Sequence, residues 1–232
     1  YFGHTAVFYM NKLILARQLE HRIDPQLESL FSIGVDEMSW DDLNDAHYDW
    51  PDVAGARQYR NKVRAAVNEL IDTAVLTLPI TQDSVCWIIM MGIEHERIHL
   101  ETSSVLIRQL ELDSVRPNPL FPPCGDIGAA PKNELVRVVG GTVQLGKEAT
   151  HPLYGWDNEY GCAKFEVPPF AASKYLVSNA EYLLFVEDGG YAEDQWWDEE
   201  GLGWRNYHEA DLPEFWRGQP GAYRLRLMTE EI

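Results

Sequence analysis

Apolar residues in the first half of the chain recur at intervals of three and four, the spacing of one face of an α-helix. Between His4 and about Leu19 this face consists of Ala6, Val7, Met10, Leu13 and Ile14. The same spacing predicts a second helix from about Val53 to Leu76. A third is predicted from Val85 to Leu112, after the N-cap candidates Asp83 and Ser84. The acidic, aromatic stretch from Asp36 to Asp52 is predicted to be a long connection within this helical bundle.

The composition changes after the third helix. Arg116 to Lys132 contains five Pro and two Gly, which excludes a regular helix or a central strand. Beyond it, Val136 to Leu145 contains two short β-runs around Gly140-Gly141 and predicts a hairpin. Short strands and one helix, over Ser178 to Glu187, are expected to follow. We therefore predict a helical domain over residues 1–115, a linker over 116–134 and a second domain over 135–232.

Net charge excludes several functions. The chain has 37 acidic and 19 basic residues and a formal charge of −18, so no basic face is available for nucleic acid or anionic lipid. No apolar run reaches the roughly 18 residues that span a bilayer. Three widely spaced Cys argue against a disulfide framework or a thiolate zinc site and favour a reducing, cytoplasmic location. The sequence leaves the oligomeric state open.

The strongest chemical signal is Glu94-His95-Glu96-Arg97-Ile98-His99-Leu100-Glu101, in the third predicted helix. His95 and His99 lie about 40° apart around a helix, so both imidazoles can reach one metal ion. Glu101 lies about 200° from His99 and is expected to act outside the shared ligand set. The third ligand must then come from another helix, for which His4, His21 and His47 are candidates. Of these, only His4 has an apolar sequence context.

Two other readings of the same residues stay open. H-E-x-x-H is also the zinc metallopeptidase signature, with Glu96 as general base, although Leu100 to Leu112 lacks the usual continuation. A non-catalytic binding module with a structural His pair is the other alternative. Arg57 and Arg60, one helical turn apart, can hold a substrate carboxylate or form surface ion pairs.

Several motifs together resemble a known enzyme family. They are Gly3-His4-Thr5-Ala6, the H-x-x-x-H-x-E of the third helix, Trp156-Asp157-Asn158-Glu159, Val177 to Tyr182 and Phe185 to Tyr191. In this order, over nearly the whole chain, they resemble the iron-dependent sulfoxide synthases of ergothioneine and ovothiol biosynthesis. The resemblance implies an α+β protein, in which a DinB-like helical bundle precedes a partial C-type-lectin-like domain related to the formylglycine-generating enzymes.

The resemblance also implies a site. It assigns Fe(2+) to His4, His95 and His99, and the thiol substrate to Arg57 and Arg60. The expected reaction couples cysteine to the imidazole ring of histidine with O2 and forms a sulfoxide. Gln usually precedes the last His in ergothioneine-type enzymes, whereas Ile98 stands here. Together with the opening Tyr-Phe-Gly-His-Thr-Ala, this favours the ovothiol branch, 5-histidylcysteine sulfoxide synthase, over the ergothioneine branch.

Family members are longer than this chain. Their lectin-like domain continues beyond the position of Ile232 and contributes a Tyr and other groups to the substrate pocket. We therefore expect the chain to be part of a longer protein whose catalytic Tyr lies outside it. Whether a methyltransferase domain follows, as it often does in the ovothiol branch, is left open by the sequence.

Overall fold

The computed structural model describes residues 1–33, 48–125 and 128–232. The chain forms two compact units, the first made of Tyr1–Glu101 and Gln144–Lys164, the second of Thr102–Val143 and Phe165–Ile232. Long helices dominate the first unit, and the second combines short helices with two-stranded sheets. The predicted α+β class is confirmed at this level. The DinB-like character of the bundle and the predicted domain limits stay predictions.

The three helices expected from the periodicity are present, with a short one between the first two. Their bounds are α1 His4–Leu15, α2 Pro25–Leu30, α3 Val53–Thr73 and α4 Val85–Gln109. Helix α1 ends before the predicted Leu19 because Arg17 adopts a left-handed conformation, with φ of 56°. Helix α3 ends at Thr73 because Ala74 is extended. The predicted connection lies mostly outside the described residues.

The buried core of the first unit lies between α1 and α3. Val7, Met10 and Leu13 on α1 are fully buried. They pack in one cluster with residues of α3, α4 and the segment after α2, namely Tyr59, Val63, Val67, Ile88 and Phe31. Burial of this apolar stripe is the main force that holds α1 in place. Because His4 is the first residue of α1, the same packing positions the start of the candidate site.

A buried carboxylate organises the chain around α2. Glu28 is only 1% exposed. Its Oε1 accepts hydrogen bonds from the backbone N–H groups of Ile23 and Asp24, at 2.9 and 3.1 Å, and its Oε2 lies 2.8 Å from Nη1 of Arg22. Asp24 caps α2 by accepting from the amide of Leu27. The sequence analysis did not single out Glu28, because nothing in the local pattern shows that this carboxylate is buried.

Replacement of Glu28 by Gln is expected to lower the free energy of unfolding by about 2 kcal/mol. The substitution keeps the side-chain volume but removes the negative charge that pairs with Arg22 and strengthens the two backbone hydrogen bonds. Denaturant unfolding measures the change. The matched control is Glu69→Gln, an exposed position on α3. Equal effects of the two substitutions would contradict the role given to Glu28.

The described strands form three two-stranded sheets. Their bounds are β1 Leu135–Val138, β2 Gly141–Leu145, β3 Ala163–Val167, β4 Phe170–Ser173, β5 Trp216–Arg217 and β6 Arg224–Leu225. Strand β1 pairs with β4, with Leu135 opposite Ser173 and Val138 opposite Phe170. Strand β2 pairs with β3, and β5 with β6.

The predicted hairpin over Val136 to Leu145 is wrong, because β1 and β2 do not pair with each other. Gly140 is required for a different reason. A Cβ atom at this position would lie 2.6 Å from the carbonyl oxygen of Val167 and 2.7 Å from the nitrogen of Pro169. The glycine therefore permits the close approach of a distant segment, which a local turn pattern cannot distinguish from a hairpin.

The helices of the second unit are α5 Asn179–Glu187 and α6 Glu199–His208. The predicted helix α5 is confirmed, and Ser178 and Glu181 form a capping box at its start. Helix α6, capped by Asp198, was missed. Trp196 and Trp204 are each half exposed. Trp197 stacks on Trp204 and donates its indole N–H to the carbonyl of Gly190.

The last turn of α4 is anchored within the second unit. The guanidinium of Arg226, which is 3% exposed, donates to the carbonyl oxygens of Leu110 and Leu227. Arg108 donates to the carbonyl of Arg226, and its guanidinium lies 3.6 Å from the centre of the Phe215 ring. Arg226 therefore donates a hydrogen bond to a carbonyl at the end of α4 that has no donor within the helix.

The described residues of the Pro-rich stretch from Arg116 to Lys132 form neither α-helix nor strand. Cys86, Cys124 and Cys162 are free thiols. Throughout the described part of the chain, no helix is both long and apolar enough to span a bilayer.

Candidate metal centre

Three histidines from two helices converge in the first unit. His4 is the first residue of α1 and is fully buried, whereas His95 and His99 are one turn apart on α4 and partly buried. The Nε2 atom of His95 lies 3.2 Å from Nε2 of His4 and 3.1 Å from Nε2 of His99. The three candidate ligand atoms all lie within 4.8 Å of one another. The structure thus brings together the three residues that the resemblance named.

The arrangement fits a metal ion. Imidazole nitrogens bind first-row metals at about 2.1 Å, which places neighbouring donor atoms roughly 3.0–3.4 Å apart. Both Nε2 separations involving His95 fall in this range. A metal-free set of hydrogen bonds among the three rings fits less well, because His95 Nε2 faces two other rings and can donate only one proton. Its buried Nδ1 atom has no hydrogen-bond partner among the described residues.

A backbone carbonyl orients the first histidine. His4 Nδ1 lies 3.3 Å from the carbonyl oxygen of Phe31. Donation of its proton there leaves the lone pair on Nε2, which faces His95, as in many metal sites where a carbonyl fixes the imidazole tautomer. Gly3 permits this contact, because a Cβ atom there would lie 2.5 Å from the Phe31 ring. The glycine before His4 is therefore part of the site's construction.

Aromatic packing fixes His95. The ring of Phe8, one turn after His4 on α1, stacks on His95 with a centroid separation of 3.8 Å and an angle of 10°. Burial lowers the pKa of His95 to about 4, with a smaller contribution from the positive charge that His4 and His99 can acquire. His95 is therefore a neutral imidazole near pH 7, the form in which it can bind a metal.

The approach of α1 to α4 depends on one glycine. The Tyr9 ring packs on Gly92, where a Cβ atom would lie 2.0 Å from its Cε1 atom. Burial, and next the negative charge of Glu96, raise the pKa of Tyr9 to about 12, so its hydroxyl stays protonated. Gly92 lies one turn before His95, so this contact sets the distance between the helices that carry the histidines. The sequence analysis missed both residues.

The two predicted substrate arginines lie around the Phe2 ring. The guanidinium of Arg57 is 5.6 Å and that of Arg60 is 5.2 Å from the ring centre. Arg57 is exposed, whereas the side chain of Arg60 is 24% exposed and makes further contacts with α1. Glu101 is exposed on α4, two residues after His99. The functional roles of these residues stay predictions.

Of the other two candidate ligands, His21 is not part of the cluster. His21 is exposed in the chain between α1 and α2. His47 lies outside the described residues. Among the described His, Cys, Asp and Glu side chains, His4, His95 and His99 form the group that can hold a metal ion. The choice of His4 from its apolar context thus agrees with the geometry, although its role as a ligand stays a prediction.

A cavity of about 490 Å³ lies beside this cluster within the first unit. Its lining includes Phe8, Lys12, Trp87, Met91, Trp156 and Asp157. Trp156 and Asp157 begin a short 3-10 turn, in which a carboxylate oxygen of Glu159 accepts from the amide of Trp156. Phe8 thus contacts both the ring of His95 and this cavity.

Comparison with known proteins gives two kinds of match. Residues 125–218 match the family model of the sulfatase-modifying factor enzyme 1-like domain. The chain is 33% identical over 180 residues to a hercynine oxygenase of Mycolicibacterium smegmatis, a match that covers 76% of this chain and 39% of that protein. It is 29% identical over 208 residues to the hercynine oxygenase of Mycolicibacterium thermoresistibile, covering 88% and 43%. The chain is similar to hercynine oxygenases.

A match at lower identity is to a protein named for ergothioneine biosynthesis. The chain is 22% identical over 202 residues to ergothioneine biosynthesis protein 1 of Neurospora crassa, covering 80% of this chain and 23% of that protein. These matches support similarity to sulfoxide synthases of the ergothioneine pathway. The chain spans about two fifths of the length of the hercynine oxygenases it matches.

Proposed function

We propose that this protein is an iron(II)-dependent sulfoxide synthase. The observation that carries the proposal is the convergence of three imidazole Nε2 atoms from α1 and α4 at metal-ligand separations. Three neutral ligands leave coordination positions open and leave the metal its full positive charge, which suits a thiolate substrate. The similarity to hercynine oxygenases supports an O2-dependent reaction at this site.

The proposed reaction joins the sulfur of cysteine to a ring carbon of histidine. The thiol and the ring carbon each lose one hydrogen, one oxygen atom of O2 remains on sulfur as the sulfoxide, and the other leaves as water. Bound iron(II) would bind the thiolate and activate O2. The chain's own residues hold the metal and order its surroundings: Phe8 and Tyr9 pack against the ligand helix and keep water from the buried side.

Positive charge near the ligands supports an amino-acid substrate. Of the two arginines predicted to bind the substrate carboxylate, Arg57 and Arg60, we assign this contact to Arg57, which is exposed. Glu101 is assigned an outer position, as a residue that pairs or hydrogen-bonds beyond the metal ligands. A guanidinium binds a carboxylate through two parallel N–H donors, so Arg57 would also orient the substrate.

Two substrate pairs fit the proposal. The opening Tyr-Phe-Gly-His-Thr-Ala, and Ile98 where ergothioneine-type enzymes usually carry Gln, support cysteine and histidine, the ovothiol-type pair. The relatives support a second candidate, an ergothioneine-type reaction on hercynine, the betaine of histidine.

The geometry favours an oxygenase over a zinc peptidase. Glu96, the general base of the peptidase reading, lies 3.9 Å from Arg60 and lines a small cavity with Val63 and Arg64 of α3. It is thus on the α3-facing side of α4. The non-catalytic reading predicts no stoichiometric metal at all.

The full-length protein, purified without oxygen and loaded with iron(II), is expected to consume O2 only when an imidazole substrate and a thiol are both present. Oxygen uptake and mass spectrometry of the product measure the reaction for histidine and hercynine, each with cysteine. Zinc-loaded protein is the control and should be inactive. Absence of oxygen uptake with both pairs, or peptide cleavage that Glu96→Gln abolishes, would refute the proposed function.

A further inference from the structure

We propose that Arg60 is a positioning residue for His4, and that the two arginines of the Arg57/Arg60 pair therefore have different roles. This inference rests on the proposed function, because it treats His4 as a metal ligand. Arg57 retains the contact with the substrate carboxylate. Arg60 instead fixes the first turn of α1, so that His4 reaches the other two histidines.

The first turn of α1 needs an external anchor. Helix α1 begins at His4, and Gly3 at the N-cap provides no side-chain hydrogen bond. Backbone groups alone hold this turn locally, since the amides of Ala6 and Val7 both donate to the carbonyl of Gly3 at 3.1 Å. Helix ends without a side-chain cap fray readily. The carbonyl of Phe31 orients the imidazole of His4 but does not cap the backbone of this turn.

Arg60 provides this anchor from α3. Its Nη1 atom donates to the carbonyl oxygen of Phe2 at 2.9 Å and to the hydroxyl of Thr5 at 2.6 Å. These acceptors lie two residues before and one residue after His4. The planar guanidinium also lies 5.2 Å from the centre of the Phe2 ring. The planar guanidinium of Arg60 therefore contacts the chain on both sides of His4.

Electrostatics argue that these hydrogen bonds determine where Arg60 lies. The N-terminus of a helix carries partial positive charge, so a cation is unfavourable there. The carboxylate of Glu96 offsets part of this cost, but it lies 3.9 Å from Arg60 and is 46% exposed, so the ion pair is weak. The contacts with Phe2 and Thr5 are thus the specific interactions of this guanidinium. Among the interactions described for Arg57, the contact with the Phe2 ring is the one that it shares with Arg60.

The test is metal affinity. Arg60→Met is expected to weaken binding of iron(II), or of cobalt(II) as a spectroscopic probe, by about 10–100-fold, the usual effect of removing a residue that orients a ligand. Arg64→Met, an exposed arginine one turn further along α3, is the matched control and should change affinity by at most about twofold. Arg60→Lys keeps the charge without the planar fork and should give an intermediate loss.

Amide hydrogen exchange of the metal-free protein separates the inference from the proposed function. Arg60→Met is expected to increase exchange at Ala6 and Val7, whereas Arg64→Met should not. Unchanged exchange together with unchanged metal affinity would overturn the positioning role and leave the function standing. A loss of cysteine affinity without a loss of metal affinity would likewise overturn it, in favour of a substrate contact. If Arg60→Met increases exchange at Ala6 and Val7 but the wild-type protein binds no metal, the anchor is supported and the proposed function is refuted.

Discussion

His95→Ala is expected to weaken metal binding by more than about 100-fold, beyond the range typical of residues that only orient a ligand. His95 has the largest effect because its Nε2 is within 3.2 Å of the Nε2 atoms of both other histidines. Its removal leaves two donors on different helices and also removes the stacking partner of Phe8. Metal analysis of the purified protein and titration with cobalt(II) measure the loss.

Two further histidine variants make this result specific. His21→Ala changes an exposed residue between α1 and α2 and should retain full metal content. His4→Ala should lose metal as His95→Ala does, because it removes the ligand supplied by α1. Retention of metal by the His95 variant would refute the site, whereas retention by the His4 variant alone would refute only the third ligand.

The metal cluster could be predicted because most of its information is local. The spacing of His95 and His99 places two imidazoles on one helix face whatever surrounds that helix. His4 is 91 residues before His95 along the chain, and its apolar context made it one candidate among three. The resemblance to a known family then assigned it as the third ligand.

The supporting contacts could not be predicted, because each depends on segments that meet only after folding. The carbonyl of Phe31 orients His4 from 27 residues away. Every residue has a backbone carbonyl, so the residue type at position 31 does not predict this contact. The i, i+3 spacing of Arg57 and Arg60 suggested one shared role. Partners on α1 distinguish them, and those partners include a backbone oxygen.

The strand pairing illustrates the same limit in the second unit. The residues around Gly140-Gly141 correctly indicate that another backbone segment packs closely here, but the pattern does not identify that segment. The observed partner of β1 is β4, whose paired residues lie 32 to 38 positions away, for example Val136 opposite Ala172. Long-range pairing of this kind depends on the burial of whole faces and leaves little trace in a window of ten residues.

Gly92→Ala is expected to lower the free energy of unfolding by about 2 kcal/mol and to weaken metal binding as well. Alanine improves helix propensity by up to about 1 kcal/mol, but its Cβ would lie 2.0 Å from the ring of Tyr9. That ring is rigid and 8% exposed, so α1 and α4 must separate. Overpacking of this kind usually costs about 1–3 kcal/mol, and here it also moves His4 away from His95.

Gly203→Ala provides the matched control, because Gly203 also lies within a helix, α6, and its Cβ would meet no atom within 4 Å. This variant should be as stable as the wild type or more stable, with unchanged metal affinity. Denaturant unfolding and cobalt(II) titration are measured on both variants. If Gly92→Ala behaves like Gly203→Ala, the Tyr9 contact does not set the helix separation. If Gly92→Ala loses stability but keeps its metal affinity, the three histidines tolerate a shift of α1, and the claim that this contact positions the ligands is refuted.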